Sequence, residues 1–564
     1  MIILDGKKED GTMKKIISLI LVLIMVLCIA MPASAANISG QGSQIPIVEI
    51  SGDGEPLYDA QGNQIFKTTD ILAGITGGND GEDGGSNAIV ESVVKVLEPF
   101  LLEGILFDKW DRYYENLYIE MSKLFSASHL NKDGTAPEGS GLSDERKAEV
   151  AARVATDFKK ERGWYGDIDY KFYYDWRLDP WEVADDFHKH IEAVKITTGA
   201  EKVAIMAKCL GTNIVLAYVA KYGTDSIYGL GFDGGTVNGM EPLSDAISGK
   251  FGVDGNAISR ILIDCNFYNI MNISPFIIGT LEMVNKTGIL SAAIGYTEEK
   301  LYAKLVEGMT SALARSTVMT WPSYWAAVTA EDYDTAIRYV FGDKNDPKRT
   351  EYAGLIAKLD NYNEKVRQRI PELLKQVKNS GANVAFIAKY GAQMIPTSDS
   401  AKLVADQFVS VKRASFGATT STVYDTLSDE YIAKQVAAGK GKYISPDKQI
   451  DASTCLFPNY TWFIKGNKHS NWSWWENDLI YTVVTADRQL SIEDFDCSQF
   501  VVYNKDTNFA DKMTTENCNT EQWEADPDKD MPKTEAGTRF IAIKALIEWI
   551  IELIEFIASK FKAK

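Results

Sequence analysis

The stretch VAIMAKCLGTNIVLAYVAKYG, residues 203–223, leaves this chain few ways to fold. VAIMA is short and apolar throughout, the pattern of a strand covered on both faces. TNIVLAYVAKYG reads as a helix stopped by Gly223. Only Lys208 to Gly211 separate the two. A buried strand that turns this abruptly into a helix is the repeating unit of a parallel α/β sheet, because parallel neighbours must be joined by a crossover. Helical and strand-like runs alternate from Asp144 to Tyr222, which extends the same pattern upstream.

The rest of the chain divides by composition. Residues 36–265 form the first half of an α/β core, opening on one strong strand, IPIVEIS, and including the flexible Gly-rich loop GGNDGEDGG. Residues 266–380 carry apolar positions at helical spacing and few strand signals, as an inserted cap or lid would. The α/β pattern resumes at NVAFIAKYG, so 381–480 is the second half of the core, followed by an extension over 481–535. Residues 536–564 hold an amphipathic helix, RFIAIKALIEWIIELIEFIASKF, with Lys544, Glu548 and Glu552 on a narrow polar stripe. Its glutamates make it a poor membrane span; packing on its own domain, self-association or peripheral contact with a membrane surface are the expected uses.

Met13 starts a basic n-region, an apolar run and an Ala33-Ser34-Ala35 site, so residues 13–35 read as a signal peptide and the mature protein as secreted, with surface association left open. The net charge of −19 argues against a nucleic-acid partner. Removing the signal leaves Cys209, Cys265, Cys455, Cys497 and Cys518, an odd set for an oxidising compartment. Cys497 with Cys518 is the easiest pair to imagine; if Cys265 and Cys455 also join, Cys209 is left over.

Cys209 stands where a nucleophile stands on a sharp strand-to-helix turn, with small residues Ala207 and Gly211 flanking it so the backbone can strain. One helix upstream lies Tyr174-Asp175-Trp176-Arg177, and further upstream IPIVEISGDGEPLYDAQGN. These resemble the YDWR element and the first strand and P-G-D-x-G-N/S-x-L loop of the lecithin:cholesterol acyltransferase and lysosomal phospholipase A2 family. Ser51 replaces the proline, while Gly52, Asp53 and Gly54 keep the loop's character. Gly229 to Gly239 resembles that family's next strand and loop. The resemblance spans residues 45–265 and 380–480 and implies an α/β-hydrolase fold: a mostly parallel sheet, helices on both faces and an inserted helical lid.

The family's order of nucleophile, acid, base leaves His469 as base, because His129, His188 and His190 all precede Cys209. SPDKQIDAS resembles the family's GDGTVP segment and makes Asp447 the expected acid, with Asp451 its rival. The resemblance also implies an oxyanion hole from the backbone N–H groups of Leu210 and Asp53. His188 and His190 with Asp185 and Asp186 are expected to be a solvated helix face rather than a metal site, and WSWW (472–475) to fill core. No cofactor or metal is expected. These features imply a secreted lipase- or acyltransferase-like enzyme acting on a lipid-type or other acyl ester. The alternative is a catalytically inactive hydrolase-fold protein that binds a ligand at the cell surface.

Overall fold

A computed structural model describes residues 43–52, 55–65, 107–251 and 318–518, short gaps aside, and parts of 95–106 and 304–316. The signal-peptide stretch, the Gly-rich loop, Asp53, Cys265, Cys497 and the C-terminal helix lie outside the described residues.

Seven strands form the central sheet: β1 (Ile47–Ile50), β2 (Val203–Lys208), β3 (Ile227–Asp233), β4 (Asn383–Tyr390), β5 (Thr461–Lys465), β6 (Phe500–Asn504) and β7 (Phe509–Lys512). They lie side by side in chain order. Every neighbouring pair from β1 to β6 is parallel, and only β7 runs antiparallel, as a hairpin on β6. This is an α/β fold with a mostly parallel sheet, as the strand–turn–helix unit predicts.

The pleat sends alternate side chains to opposite faces, and both faces are dry. Val48, Ile50, Val203, Ile205, Leu230, Phe232, Val384, Phe386 and Phe463 point to one face. There they meet helices α1 (Pro180–Thr198), α2 (Gly211–Tyr222), α3 (Ala353–Lys365) and α4 (Ile370–Asn379). Ile47, Ala204, Met206, Ala385, Ile387, Trp462 and Ile464 point the other way, onto Trp475, Leu479, Ile480, Val483 and Val484 of α5 (Trp474–Thr485). Trp475 is thus a core residue, as expected for that tryptophan run. Each face of a strand being buried explains the near-continuous apolar sequences of β2 and β4.

Local signals set the helix ends. Asp179 caps α1 by accepting from the Trp181 N–H, Pro180 occupies its first turn, and Gly199 closes it in the left-handed region at φ 68°. Ser473 and Glu476 form a reciprocal capping box at the start of α5. Helix α5 reaches β3 through glycines. A Cβ on Gly229 would come within 2.1 Å of the Val484 carbonyl oxygen, and one on Gly231 within 2.2 Å of Ile480 Cγ2.

Among its described residues, the block 266–380 carries helices joined by turns and no strand. Helices α3 and α4 pack on α1 and α2, with Leu355, Leu359, Leu373, Leu374 and Val377 in the main core.

Candidate functional site

Strand β2 ends at Lys208, α2 begins at Gly211, and Cys209 makes the turn at φ 47°. A residue with a Cβ rarely occupies this left-handed region, and such strain persists only where surrounding contacts hold it. The contacts here are specific. The Cys209 N–H donates to the Asp233 carbonyl at the end of β3, 3.4 Å away, and its own carbonyl accepts from the Thr212 N–H (3.1 Å) and hydroxyl (2.7 Å). The Thr212 hydroxyl oxygen in turn accepts from the N–H groups of Thr236 (3.2 Å) and Val237 (3.3 Å), tying the turn to the loop after β3. Gly211 must be a glycine, because its Cβ would lie 2.7 Å from the Ile50 oxygen and 2.8 Å from the Ser51 oxygen.

The chain leaving β1 crosses directly over the cysteine. A Cβ on Gly52 would sit 2.8 Å from Cys209 Cβ, 3.0 Å from its Sγ and 3.1 Å from the Leu210 nitrogen. Gly52 therefore borders the space in front of the sulfur and the Leu210 N–H. The Tyr-Asp-Trp-Arg element holds this crossing in place. The Tyr174 hydroxyl donates to the Ser51 carbonyl (2.9 Å) and lies 3.4 Å from the Gly52 carbonyl, while Trp176 Nε1 donates to the Glu55 carbonyl at 3.0 Å. Asp175 and the fully buried Arg177 pair through two charge-assisted bonds, 2.9 and 2.6 Å. Arg177 also donates to the Ser128 carbonyl and the Ser140 hydroxyl, so its charge is satisfied on every side.

His469 follows β5 in a loop, buried, and the Cys209 side chain is one of its electrostatic neighbours. The other partner of the ring is Asp406. His469 Nδ1 lies 2.8 Å from Asp406 Oδ2, and the His469 N–H donates to the Asp406 carbonyl at 2.9 Å. Asp406 Oδ1 accepts from the N–H groups of Phe408 (3.1 Å) and Val409 (2.8 Å), which fixes the carboxylate's plane. With Nδ1 engaged by Asp406, Nε2 is the ring nitrogen left for sulfur. Burial, the largest influence on the imidazole, disfavours its charged form. The Asp406 carboxylate, then Cys209, outweigh burial and hold the ring's pKa well above the usual histidine range. The Phe408 ring covers the imidazole at 5.5 Å, and Gly234, at φ 55°, passes close to its edge.

Asp447, expected from the sequence as the acid, stands elsewhere. Its carboxylate accepts from Lys465 Nζ (2.9 Å), the Tyr390 hydroxyl (2.9 Å) and the Ser445 hydroxyl (2.5 Å), a buried cluster joining the ends of β4 and β5. Its rival Asp451 accepts from Tyr431 and caps the short turn at Ser453. The carboxylate that lies against His469 is instead Asp406, which the sequence reading does not single out. It follows β4, lies between Cys209 and His469 in the chain, and is a lone carboxylate within the apolar run LVADQFV. A charged residue set in such a run has to be buried against a partner, and that was the available signal.

The remaining sequence candidates resolve as structure. His190 is buried with Nε2 3.0 Å from the Tyr170 carbonyl, and burial lowers its pKa to about 4. His188 stacks on Tyr222, Asp185 pairs with Lys221, and Asp186 pairs with Lys189. Among the described residues no group of His, Cys, Asp and Glu side chains is arranged to hold a metal ion. Cys209 carries a free thiol, half-buried; Cys455 is also free and buried, while Cys265, its partner in the pairing considered from the sequence, lies outside the described residues.

No family model, curated protein or solved structure matches this chain.

Proposed function

We propose that the protein is an α/β-hydrolase of the lecithin:cholesterol acyltransferase and lysosomal phospholipase A2 type with cysteine as its nucleophile, cleaving or transferring an acyl group from a lipid-type ester. The observation that carries this is the grouping of Cys209, on a turn strained to φ 47°, with His469 as its electrostatic neighbour and Asp406 bonded to the far side of that ring. A nucleophile, a base in contact with it and an acid orienting the base are the parts acyl transfer needs. Their chain order, Cys209, Asp406, His469, is the order of that fold. Tyr174 to Arg177 support the assignment by doing positional work on the loop that borders the sulfur.

In this mechanism His469 Nε2 already holds the proton given up by the Cys209 thiol; sulfur attacks the ester carbonyl carbon, and the carbonyl π pair moves to oxygen. Asp406 holds Nδ1 protonated and stabilises the imidazolium. The Leu210 N–H and, by resemblance, that of Asp53 stabilise the oxyanion. When the tetrahedral adduct collapses, the C–O bond breaks and the departing alkoxide takes the proton from His469. Water or a second hydroxyl then attacks the thioester, giving its proton to His469, and Cys209 is released. The signal-like stretch Met13–Ala35 supports action outside the cell.

The test is to incubate the mature protein with a panel of p-nitrophenyl esters and a thiol-directed acyl probe, beside Cys209→Ser, Cys209→Ala and His469→Ala. Labelling of Cys209 that depends on His469, with ester turnover lost in Cys209→Ala, is the expected result. A probe that ignores Cys209, with no variant changing turnover of any ester, would leave a ligand-binding protein instead.

A further inference from the structure

Beneath Cys209, on the α5 face of the sheet, lies a row of buried charges that the mechanism above does not use. Glu49 of β1, Lys208 of β2, Asp233 of β3 and Lys389 of β4 follow one another across neighbouring strands, alternating in sign, each at most about a twentieth exposed. Lys208 Nζ lies 3.8 Å from Glu49 Oε1, and Lys389 Nζ lies 3.4 Å from Asp233 Oδ1. Isolated charges here would be prohibitively costly, so the pairs must be held in good geometry.

Lys389 is the member with contacts on both sides of the site. Its ammonium pairs with Asp233, whose carbonyl receives the Cys209 N–H. It also donates to the His469 carbonyl (3.4 Å) and the Asn471 carbonyl (3.0 Å), and lies 3.5 Å from Glu476 Oε2. Glu476 accepts from the Ser473 N–H at 3.0 Å and from Asn467, which anchors the His469 loop to the start of α5. One side chain therefore touches the strand that holds the nucleophile's backbone and the loop that carries the base.

We propose that Lys389 is a positioning residue for this site: bound to Asp233 on one side and to the His469 and Asn471 carbonyls on the other, its ammonium sets the separation of Cys209 and His469. The proposal rests on the cysteine-hydrolase assignment and deepens it. Charged groups face Lys389 from three elements: Asp233 from β3, Glu476 from α5 and Asp406 from the loop after β4. Burial opposes the ammonium most strongly, but the three carboxylates together keep it charged. Burial, partly offset by Lys389, raises the Glu476 carboxyl above the usual carboxylate range.

The experiment measures ester turnover and the pH profile of Cys209 alkylation by iodoacetamide, followed by mass spectrometry of the Cys209 peptide. It compares the wild type with Lys389→Met, Lys389→Arg, Glu476→Gln, His469→Ala and the Lys389→Met/His469→Ala double variant. Lys389→Met is expected to lose about 100-fold in turnover, the scale of a misplaced catalytic group. Its alkylation midpoint should move toward that of His469→Ala, and the double variant should be no slower than His469→Ala alone. Lys389→Arg, which keeps the charge, should recover the wild-type midpoint. A wild-type midpoint in Lys389→Met, or losses that multiply in the double variant, overturns the proposal. If Lys389→Met does not fold, Glu476→Gln decides: it should move the midpoint in the same direction, and an unmoved midpoint overturns the proposal. If alkylation of the wild type is indifferent to His469→Ala, the hydrolase assignment falls and this proposal with it. An effect of His469→Ala without one of Lys389→Met or Glu476→Gln sinks only the role of Lys389.

Discussion

Replacing Asp406 with asparagine separates the two candidate acids. In the wild type, Oδ1 is committed to the Phe408 and Val409 N–H groups at 3.1 and 2.8 Å, and Oδ2 faces His469 Nδ1 at 2.8 Å. Asparagine keeps its oxygen on the two donors, which leaves the NH₂ group pointing at Nδ1. Nδ1 must then accept, the ring proton moves to Nε2, and the nitrogen facing sulfur can no longer take a proton. The main-chain bond from His469 to the Asp406 carbonyl survives, so the loop stays in place. Loss of the correct tautomer and of imidazolium stabilisation costs about 10³- to 10⁴-fold in turnover, or roughly 4–5.5 kcal/mol of transition-state stabilisation. The assay is ester turnover of Asp406→Asn and Asp447→Asn side by side, with circular dichroism to confirm folding. Asp447→Asn should lose stability, because Lys465 and Tyr390 lose a charged acceptor, but retain its rate per folded molecule. If Asp406→Asn keeps its rate within about tenfold while Asp447→Asn loses 10³-fold or more, Asp447 is the acid after all.

Three further substitutions probe how the site is held. Tyr174→Phe removes the hydroxyl that supports the Ser51 and Gly52 carbonyls. It should cost about 1 kcal/mol in a urea denaturation and lower turnover without altering the protein's secondary structure. Gly231→Ala forces a Cβ to within 2.2 Å of Ile480 Cγ2, so α5 must shift off the sheet; a loss of about 3 kcal/mol in the same denaturation measurement is expected. Asp179 gives a pH-dependent stability test. Burial, reinforced by Glu182, raises its carboxyl from 3.8 to about 7 against the pull of the Trp181 N–H and of Lys358 and Lys221. The folded chain therefore keeps this proton after the unfolded chain has lost it, and stability falls as pH rises between those values by up to about 4 kcal/mol. Asp179→Asn still caps the helix without a charge to desolvate. It should melt higher than the wild type at pH 8 and equally at pH 4; equal melting at both would refute the shift.

The parallel sheet was legible in VAIMAKCLGTNIVLAYVAKYG because a strand buried on both faces has no polar phase to confuse the pattern. Cys209 and His469 were legible too, one from its strand–helix context and the other because so few histidines exist. Asp406 was missed because its partner lies in a different loop, and only the tertiary fold brings the two together. The surroundings of Asp447 in the chain resemble a motif, but its carboxylate is bound to Lys465 and Tyr390. The positions of α3 and α4 were hidden for a related reason. A stripe of apolar residues says that a helix is buried on one side, and says nothing of whether the neighbour is a lid or the helix layer of a sheet.

The site joins parts of the chain that are made far apart. Cys209 lies at the end of β2, while Asp406 follows β4 and His469 follows β5. Parallel strands pair only after long loops close, which makes such contacts late events in folding. The thiol on β2 therefore exists as an ordinary, unpaired cysteine until β4 and β5 have been added to the sheet. In a refolding experiment, helix content should return first and His469-dependent reactivity of Cys209 last. A nascent chain would thus carry the Cys209 thiol without its His469 neighbour until β5 has joined the sheet.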